Sequence, residues 1–258
     1  MKKISIWVTS TGRYKFLKPT VDAFLKYNTY PNVEFLIFES VPTEESKKIF
    51  HAPNIETEKC IEYIKSLDIP KKHIIKPWPF LGDVYNELLD LTEDYYISIE
   101  DDCVTVCDPR EQFEEGIKLL DADEQLLGIR TDLRDPTSVH AGSSRFEGTK
   151  MFEGTEYVYW DVCSGGAQIM DARKVREINK FPSGQALNTY GDTERHQQRE
   201  MIAAGMYCGV NLNFYGFLSH EGAESVCGDD RTWSSNAYKT FIQKGWYGKG
   251  PNNTAQKS

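Results

Sequence analysis

The chain opens with an apolar run, Ile4 to Val8, followed by the polar loop Thr9-Ser10-Thr11-Gly12-Arg13. Phe16, Leu17, Val21, Phe24 and Leu25 then recur at helical spacing and line one face. Tyr30-Pro31-Asn32 breaks the chain, and Val33 to Phe38 forms a second apolar run ending in Glu39-Ser40. Strand, helix and strand in that order predict a β-α-β unit with parallel pairing.

The alternation continues. Residues 41–55 are polar and irregular, and a helix with Ile61, Ile64 and Leu67 turned inward comes next. His73 to Lys76 reads as a short strand, Pro77-Trp78-Pro79 as a rigid connector, and Leu81 to Leu91 as a helix burying Val84, Leu88 and Leu91. Tyr95 to Cys103 reads as a strand that stops in the acids Glu100-Asp101-Asp102. Asp108-Pro109-Arg110-Glu111 starts a helix that points Phe113, Ile117 and Leu120 inward. Leu126 to Arg130 is a further strand, and residues 131–149 form a long polar loop. Met151-Phe152 and Tyr157 to Trp160 predict a hairpin around Glu153-Gly154-Thr155-Glu156. Cys163 to Met170 carries paired glycines into a strand, and Asp171 caps the helix after it. Beyond a loop over 179–191, Asp192-Thr193-Glu194 opens a polar helix through Ala204. One or two strands between Gly205 and Phe217 lead to Leu218-Ser219-His220. The pattern predicts an α/β fold whose mostly parallel central sheet is flanked by helices and carries a small antiparallel portion.

Composition narrows the class. Hydrophobic residues make up 40% of the 258 and charged residues 27%, as in soluble globular proteins. No apolar run approaches the ~20 residues of a membrane span, and the start is too short and polar for a signal peptide, so a cytoplasmic protein is expected. A net charge of −9 argues against nucleic acid as partner, which needs clustered Lys and Arg. The six cysteines show no zinc spacing and read as reduced, mostly buried thiols.

Carboxylates at the end of a buried strand lie where open α/β sheets bind ligands. Three acids in a row repel one another, and a divalent cation relieves that repulsion. The competing reading is a solvated acidic turn that merely ends a strand.

These motifs, in this order, resemble those of GT-A fold glycosyltransferases, particularly the large inverting family 2. Ile4 to Arg13 resembles that family's first strand and loop, Phe35 to Ser40 its second strand with a terminal acid, and Glu100-Asp101-Asp102 its Asp-x-Asp signature. The resemblance implies a domain over 1–225, with a nucleotide-binding half at about 1–107 and an acceptor half at about 108–225. It implies that Thr9, Glu39, Gly82, Asp83 and Asn86 border the nucleotide, and Arg13 is counted with them. Asp101 either joins the donor site or turns away into the protein or solvent. Gly165 and Gly166 match a turn beside the acceptor, and Trp160 is placed on that side. Asp192 falls at the catalytic acid, with Gly191 before it where the family has Glu, and Glu194 is the substitute. His220 matches a late histidine that completes the metal site.

The implied chemistry is transfer of a sugar from a nucleotide-diphosphate sugar, UDP by default, to a hydroxyl of a glycan or glycoconjugate. A divalent metal stabilises the leaving diphosphate. Asp102 is the direct ligand, Glu100 reaches the ribose or the metal, and His220 shifts preference from Mg²⁺ toward Mn²⁺. Asp192 is the general base in a single, inverting displacement. The tail, 226–258, carries Arg231 and Trp233 and one helix from Ser235 to Gln243; it is either a lid over the diphosphate or a packed helix. Nucleotidyl transfer onto a sugar phosphate and a non-catalytic binding module are the alternatives.

Overall fold

A computed structural model of the chain describes residues 1–44, 55–77, 80–101, 103–130, 146–160, 168–178, 181, 192–211 and 217–220. For residues 146–148, 155–156, 158–160, 192, 194–195 and 219–220 it describes the backbone. The strands are β1 (Ile4–Ser10), β2 (Val33–Val41), β3 (Lys71–Pro77), β4 (Tyr95–Glu100), β5 (Cys103–Thr105), β6 (Leu126–Arg130), β7 (Phe146–Phe152), β8 (Thr155–Trp160), β9 (Gln168–Asp171), β10 (Tyr207–Asn211) and β11 (Leu218–His220). The helices are α1 (Tyr14–Tyr27), α2 (Thr57–Ser66), α3 (Leu81–Leu91), α4 (Arg110–Ala122), α5 (Ala172–Glu177) and α6 (Asp192–Ala203).

Among the described residues, nine strands form one sheet in the order β3-β2-β1-β4-β9-β6-β10-β8-β7. Strands β3, β2, β1 and β4 pair in parallel, as do β6 and β10. The reversed strands are β9 and β8, which pair antiparallel with their neighbours. The sheet is therefore mostly parallel with an antiparallel portion, as the sequence pattern predicts.

Alternation along each strand sends side chains to two cores. Ile4, Ile6 and Val8 of β1 pack with Leu17, Val21 and Phe24 of α1, with Cys60 and Ile64 of α2 and with Phe113 and Leu120 of α4. Trp7 faces the other way, among Val84, Tyr85, Leu88 and Leu89 of α3, Ala172 and Val175 of α5 and Met201 of α6. Its indole stacks on Tyr96 with ring centroids 3.7 Å apart. The buried stripe of α2 passes through Cys60 and Ile64, whereas Ile61 is only half-buried, so this helix is rotated from the expected face. α3 likewise buries Leu89 and leaves Leu91 half-buried.

One local expectation holds in detail, and the expected hairpin forms with a shorter turn, since Thr155 and Glu156 belong to β8 and β7 begins at Phe146, inside the stretch read as a loop. Asp171 caps α5 by accepting from the backbone N–H of Arg173 at 3.0 Å. The β7–β8 hairpin turns on Glu153 and Gly154, both with positive φ, 44° and 85°, which the right-handed strand twist favours. α5 also ties the two helical layers together. Its Arg176 donates to the Leu89 carbonyl at 2.7 Å, and Lys174 donates to the carbonyls of Leu120 and Asp123 at 2.6 and 2.8 Å. Those are the carbonyl-rich ends of α3 and α4.

The run Tyr95 to Cys103 is not one strand. It ends as β4 at Glu100, turns at Asp101 and resumes as β5, which leaves the main sheet and pairs with β11.

Candidate active site

β1 lies between β2, reached through α1, and β4, reached through α3. The connections leave β1's neighbourhood in opposite directions, and such a switch point opens a crevice at the carboxyl ends of the strands. Thr9 is in register with Glu100 and Ser10 with Glu39 at this edge. Strand parity puts Ser10 and Glu39 on the α1 and α2 side, and Thr9 and Glu100 on the α3 side.

Glu39 is fully buried, and neither carboxylate oxygen completes a hydrogen bond among the described residues. The Ser10 and Thr11 hydroxyl oxygens are buried in the same condition. Burial pushes the Glu39 carboxyl up to about 7. The nearby Ser10 hydroxyl and Gly12 N–H temper that rise, and the charge of Asp101 adds to it. Beneath, the Cys60 thiol is pushed up to about 12, first by burial and then by Glu39, so it is an inert packing group. Ser10 and Gly12 lie close to the Glu39 carboxyl without a well-aligned hydrogen bond, so Ser10, Thr11 and Glu39 form a poorly satisfied buried polar cluster at the strand ends, which is rare in a packed interior.

Gly12 (φ +77°) turns the chain out of β1, and a Cβ there would come within 2.6 Å of Ile55 Cγ2. Arg13 follows at the start of α1, and its guanidinium grips Asp101 with two nitrogens. Nε donates to Oδ2 at 3.1 Å, and Nη2 donates to Oδ1. Asp101 is buried, and its backbone carbonyl accepts from the Thr20 hydroxyl at 2.9 Å. Of the two places open to Asp101, the structure takes the inward one. Arg13, expected at the donor, holds Asp101.

Glu100 is half-buried at the end of β4, and Asp102 lies outside the described residues. His220 ends β11 and pairs with Cys103, the residue after Asp102. The two-stranded ladder thus brings the late histidine to the acidic turn, although its side chain is not among those described. No group of three metal-ligating side chains occurs among the described ones. By position, Glu100, Asp102 and His220 offer hard oxygens and an imidazole, a donor set that suits Mn²⁺.

Gly82 is buried in the first turn of α3, and Asp83 is half-buried beside it. The Asn86 amide nitrogen donates to the Phe181 carbonyl and its amide oxygen accepts from the Phe181 N–H, both at 2.8 Å. The Phe181 ring packs on Tyr85 with centroids 5.0 Å apart. Asn86 braces the chain at Phe181.

Sequence reasoning overlooked Arg130. It ends β6 with 3% exposure, in register with Gln168, on the α3 side of the sheet with Glu100. The signal was available: an apolar strand ending in a charge, as at Glu39 and Glu100.

Asp192 and Glu194 stand in the first turn of α6. Gly165, Gly166, Arg231, Trp233 and the tail helix lie outside the described residues. Trp160, expected on the acceptor side, stands apart from the strand-end crevice. β8 runs against β10, so its last residue pairs with Cys208 near the start of β10, toward the opposite edge of the sheet. Across the intervening strands this is roughly 20 Å from Glu100, counted at about 4.8 Å per strand. Trp160 is not part of the strand-end site.

No family model matches the sequence, and no curated protein matches it. Among solved structures, the mannosyltransferase PcManGT from Pyrobaculum calidifontis, in complex with GDP-Man and Mn²⁺, aligns at a TM-score of 0.52 and 12% identity. The alignment covers 81% of this chain and 56% of that one. S. aureus TarS 1–349, in complex with UDP-GlcNAc, aligns equally well, at 0.52 and 12%, covering 81% and 55%. The chain spans about half the length of these structures. At such low identity the likeness is one of fold: strand order, acid-ended strands and superposition together give this chain a glycosyltransferase fold of the GT-A type.

Proposed function

We propose that the chain is a metal-dependent, inverting glycosyltransferase that moves a sugar from a nucleotide-diphosphate sugar to a hydroxyl of a glycan or glycoconjugate. The observation that carries this reading is the strand-end crevice. There Ser10, Thr11 and Glu39 present buried polar atoms without well-aligned partners, next to an acidic turn that the β5–β11 ladder joins to His220. The fold is that of structures whose complexes hold GDP-Man with Mn²⁺ and UDP-GlcNAc, so UDP and GDP sugars are the first donors to test.

In this reading Thr9, Ser10, Thr11 and Glu39 surround the base and ribose. Below about pH 7 the Glu39 carboxyl keeps its proton and can both donate and accept; above it, it only accepts. Glu100 reaches the ribose or, with Asp102 and His220, holds a divalent metal. When bound, that metal supplies Lewis-acid stabilisation of the diphosphate leaving group. Gly82 and Asp83 lie at the first turn of α3, beside the donor. Asp192, with Glu194 the substitute, takes the proton of the acceptor hydroxyl as its oxygen attacks the anomeric carbon. The bond from that carbon to the diphosphate oxygen breaks on the opposite face, which inverts the centre. Arg231 and Trp233 of the tail are further candidates for contact with the diphosphate.

Nucleotidyl transfer is less well supported. It would use a basic residue after β1 on the triphosphate, and Arg13, the basic residue there, is held by Asp101.

A thermal-shift panel of UDP and GDP sugars, with and without Mn²⁺, tests the proposal, followed by assay of nucleoside diphosphate release. A donor that raises the melting temperature only with Mn²⁺ and is consumed supports it. If no nucleotide sugar binds or is turned over, the proposal fails. Asp102→Ala is expected to lose metal-dependent turnover and keep the fold.

A further inference from the structure

We propose that Asp101, the middle acid of Glu100-Asp101-Asp102, is the internal anchor of the turn, and that Arg13 and Thr20 are positioning residues that set how the end of β4 presents Glu100. This rests on the proposed transferase function and assigns Arg13 and Asp101 a task apart from donor contact.

Four observations carry it. First, the Asp101 side chain is 3% exposed and that of Arg13 12%, so neither carries its charge into an open crevice. Second, the contact is two-pronged, Nε to Oδ2 and Nη2 to Oδ1, a geometry that fixes orientation as well as distance. The guanidinium also lies over the Phe16 ring, 5.2 Å from its centroid, so α1 holds the fork in place. Third, the Thr20 hydroxyl holds the Asp101 carbonyl at 2.9 Å, which pins the main chain of the turn independently of the ion pair. Fourth, Asp101 meets Arg13 and Thr20 on the α1 side of the sheet, whereas alternation along β4 puts Glu100 on the other side, with Tyr96.

The turn needs such an anchor because the strands on its two sides belong to different sheets. β4 lies in the nine-stranded sheet, whereas β5 is three residues long and pairs with β11. No shared ladder fixes one relative to the other. A buried ion pair adds little net stability over an apolar replacement, and its geometric definition is what the turn gains. There is an electrostatic consequence as well. Arg13 cancels one of three adjacent negative charges and leaves two for a divalent cation.

The test measures Mn²⁺ and nucleotide binding by calorimetry, together with kcat and KM, in the full chain. Arg13→Gln is expected to weaken Mn²⁺-dependent nucleotide binding roughly 10- to 100-fold, the range for residues that orient metal ligands. kcat falls and the acceptor KM changes little. The double variant Arg13→Gln with Asp101→Asn replaces the ion pair by a neutral amide contact and recovers most of the binding. Thr20→Val keeps the ion pair, frees the carbonyl and gives a smaller loss in the same direction; it also serves if Arg13→Gln does not fold. Arg13→Lys keeps the charge without the fork and stays impaired.

Three results overturn the inference. If Arg13→Lys matches the wild type while the double variant remains as weak as Arg13→Gln, Arg13 acts on the donor as a point charge. If all variants bind as the wild type does, the anchor has no bearing on the site. If the wild type binds neither nucleotide nor Mn²⁺, the functional reading fails and takes this inference with it.

Discussion

His220 stands opposite Cys103 in the antiparallel β5–β11 ladder, which fixes the late histidine one position from Asp102. Backbone pairing, with Val106 N–H donating to the Phe217 carbonyl at 2.9 Å just beyond it, joins two stretches far apart in the chain. An imidazole at that position favours Mn²⁺ over Mg²⁺. His220→Asn is therefore expected to weaken the Mn²⁺-dependent stabilisation by nucleotide about tenfold and the Mg²⁺-dependent one much less. Thermal-shift titrations with each metal check this; equal loss with both would remove His220 from the metal site.

Glu39 makes stability depend on pH with a definite sign. Its carboxyl is pushed from 4.5 up to about 7 by burial, so between those values the folded chain holds a proton that the unfolded chain has released. That stabilisation is complete below about 4.5 and is lost as pH rises through about 7. At 1.36 kcal/mol per pKa unit it amounts to roughly 3 kcal/mol. His73, lowered first by burial, works in the opposite sense as pH falls through its range. The comparison with Glu39→Gln cancels that contribution. Urea unfolding at pH 5 and pH 8 is expected to show the variant gaining on the wild type by about 3 kcal/mol at the higher pH.

Asn86→Ala removes both amide contacts to Phe181 and leaves a main-chain N–H and C=O without their partner. A loss of about 2 kcal/mol in urea unfolding is expected. Phe181 opens the stretch that leads to Asp192 and α6, so turnover falls further than donor affinity does. Calorimetry with donor alone, beside steady-state kinetics, separates the two; a matching loss of donor affinity would mean that Asn86 touches the nucleotide.

Glu153 occupies a left-handed position, φ 44°, in the β7–β8 turn, where its side chain is disfavoured. Asn tolerates that conformation and forms the favoured Asn-Gly turn with Gly154. Glu153→Asn is expected to stabilise the chain by roughly 1 kcal/mol. The Lys118 ion pair it removes has both side chains more than half exposed and contributes only a few tenths. Differential scanning calorimetry reads the gain, and turnover stays unchanged.

Much of the strand-end crevice is legible in the sequence because its charged residues end strands. Glu39 and Glu100 each close an apolar run, and a parallel sheet gathers such ends at one edge. Arg130 also closes an apolar run, with the opposite charge. The partners of Asp101 and Asn86 were hidden for another reason. Both are polar residues beside a predicted ligand site, and nothing local distinguishes a side chain that waits for a ligand from one that Arg13 or the Phe181 main chain already holds.

The sequence by itself determined the period of each element, hence the α/β class, the acid-ended strands and the capped start of α5, because burial repeats every two residues in a strand and every three to four in a helix. Only the tertiary structure decided which way the acidic triplet divides, with Asp101 inward on Arg13 and Thr20 and Glu100 outward. It also sent Trp160 to the far edge by reversing β8, and joined His220 to Cys103. Periodicity records what one element buries, whereas strand direction and long-range pairing depend on contacts between elements that the local pattern does not encode.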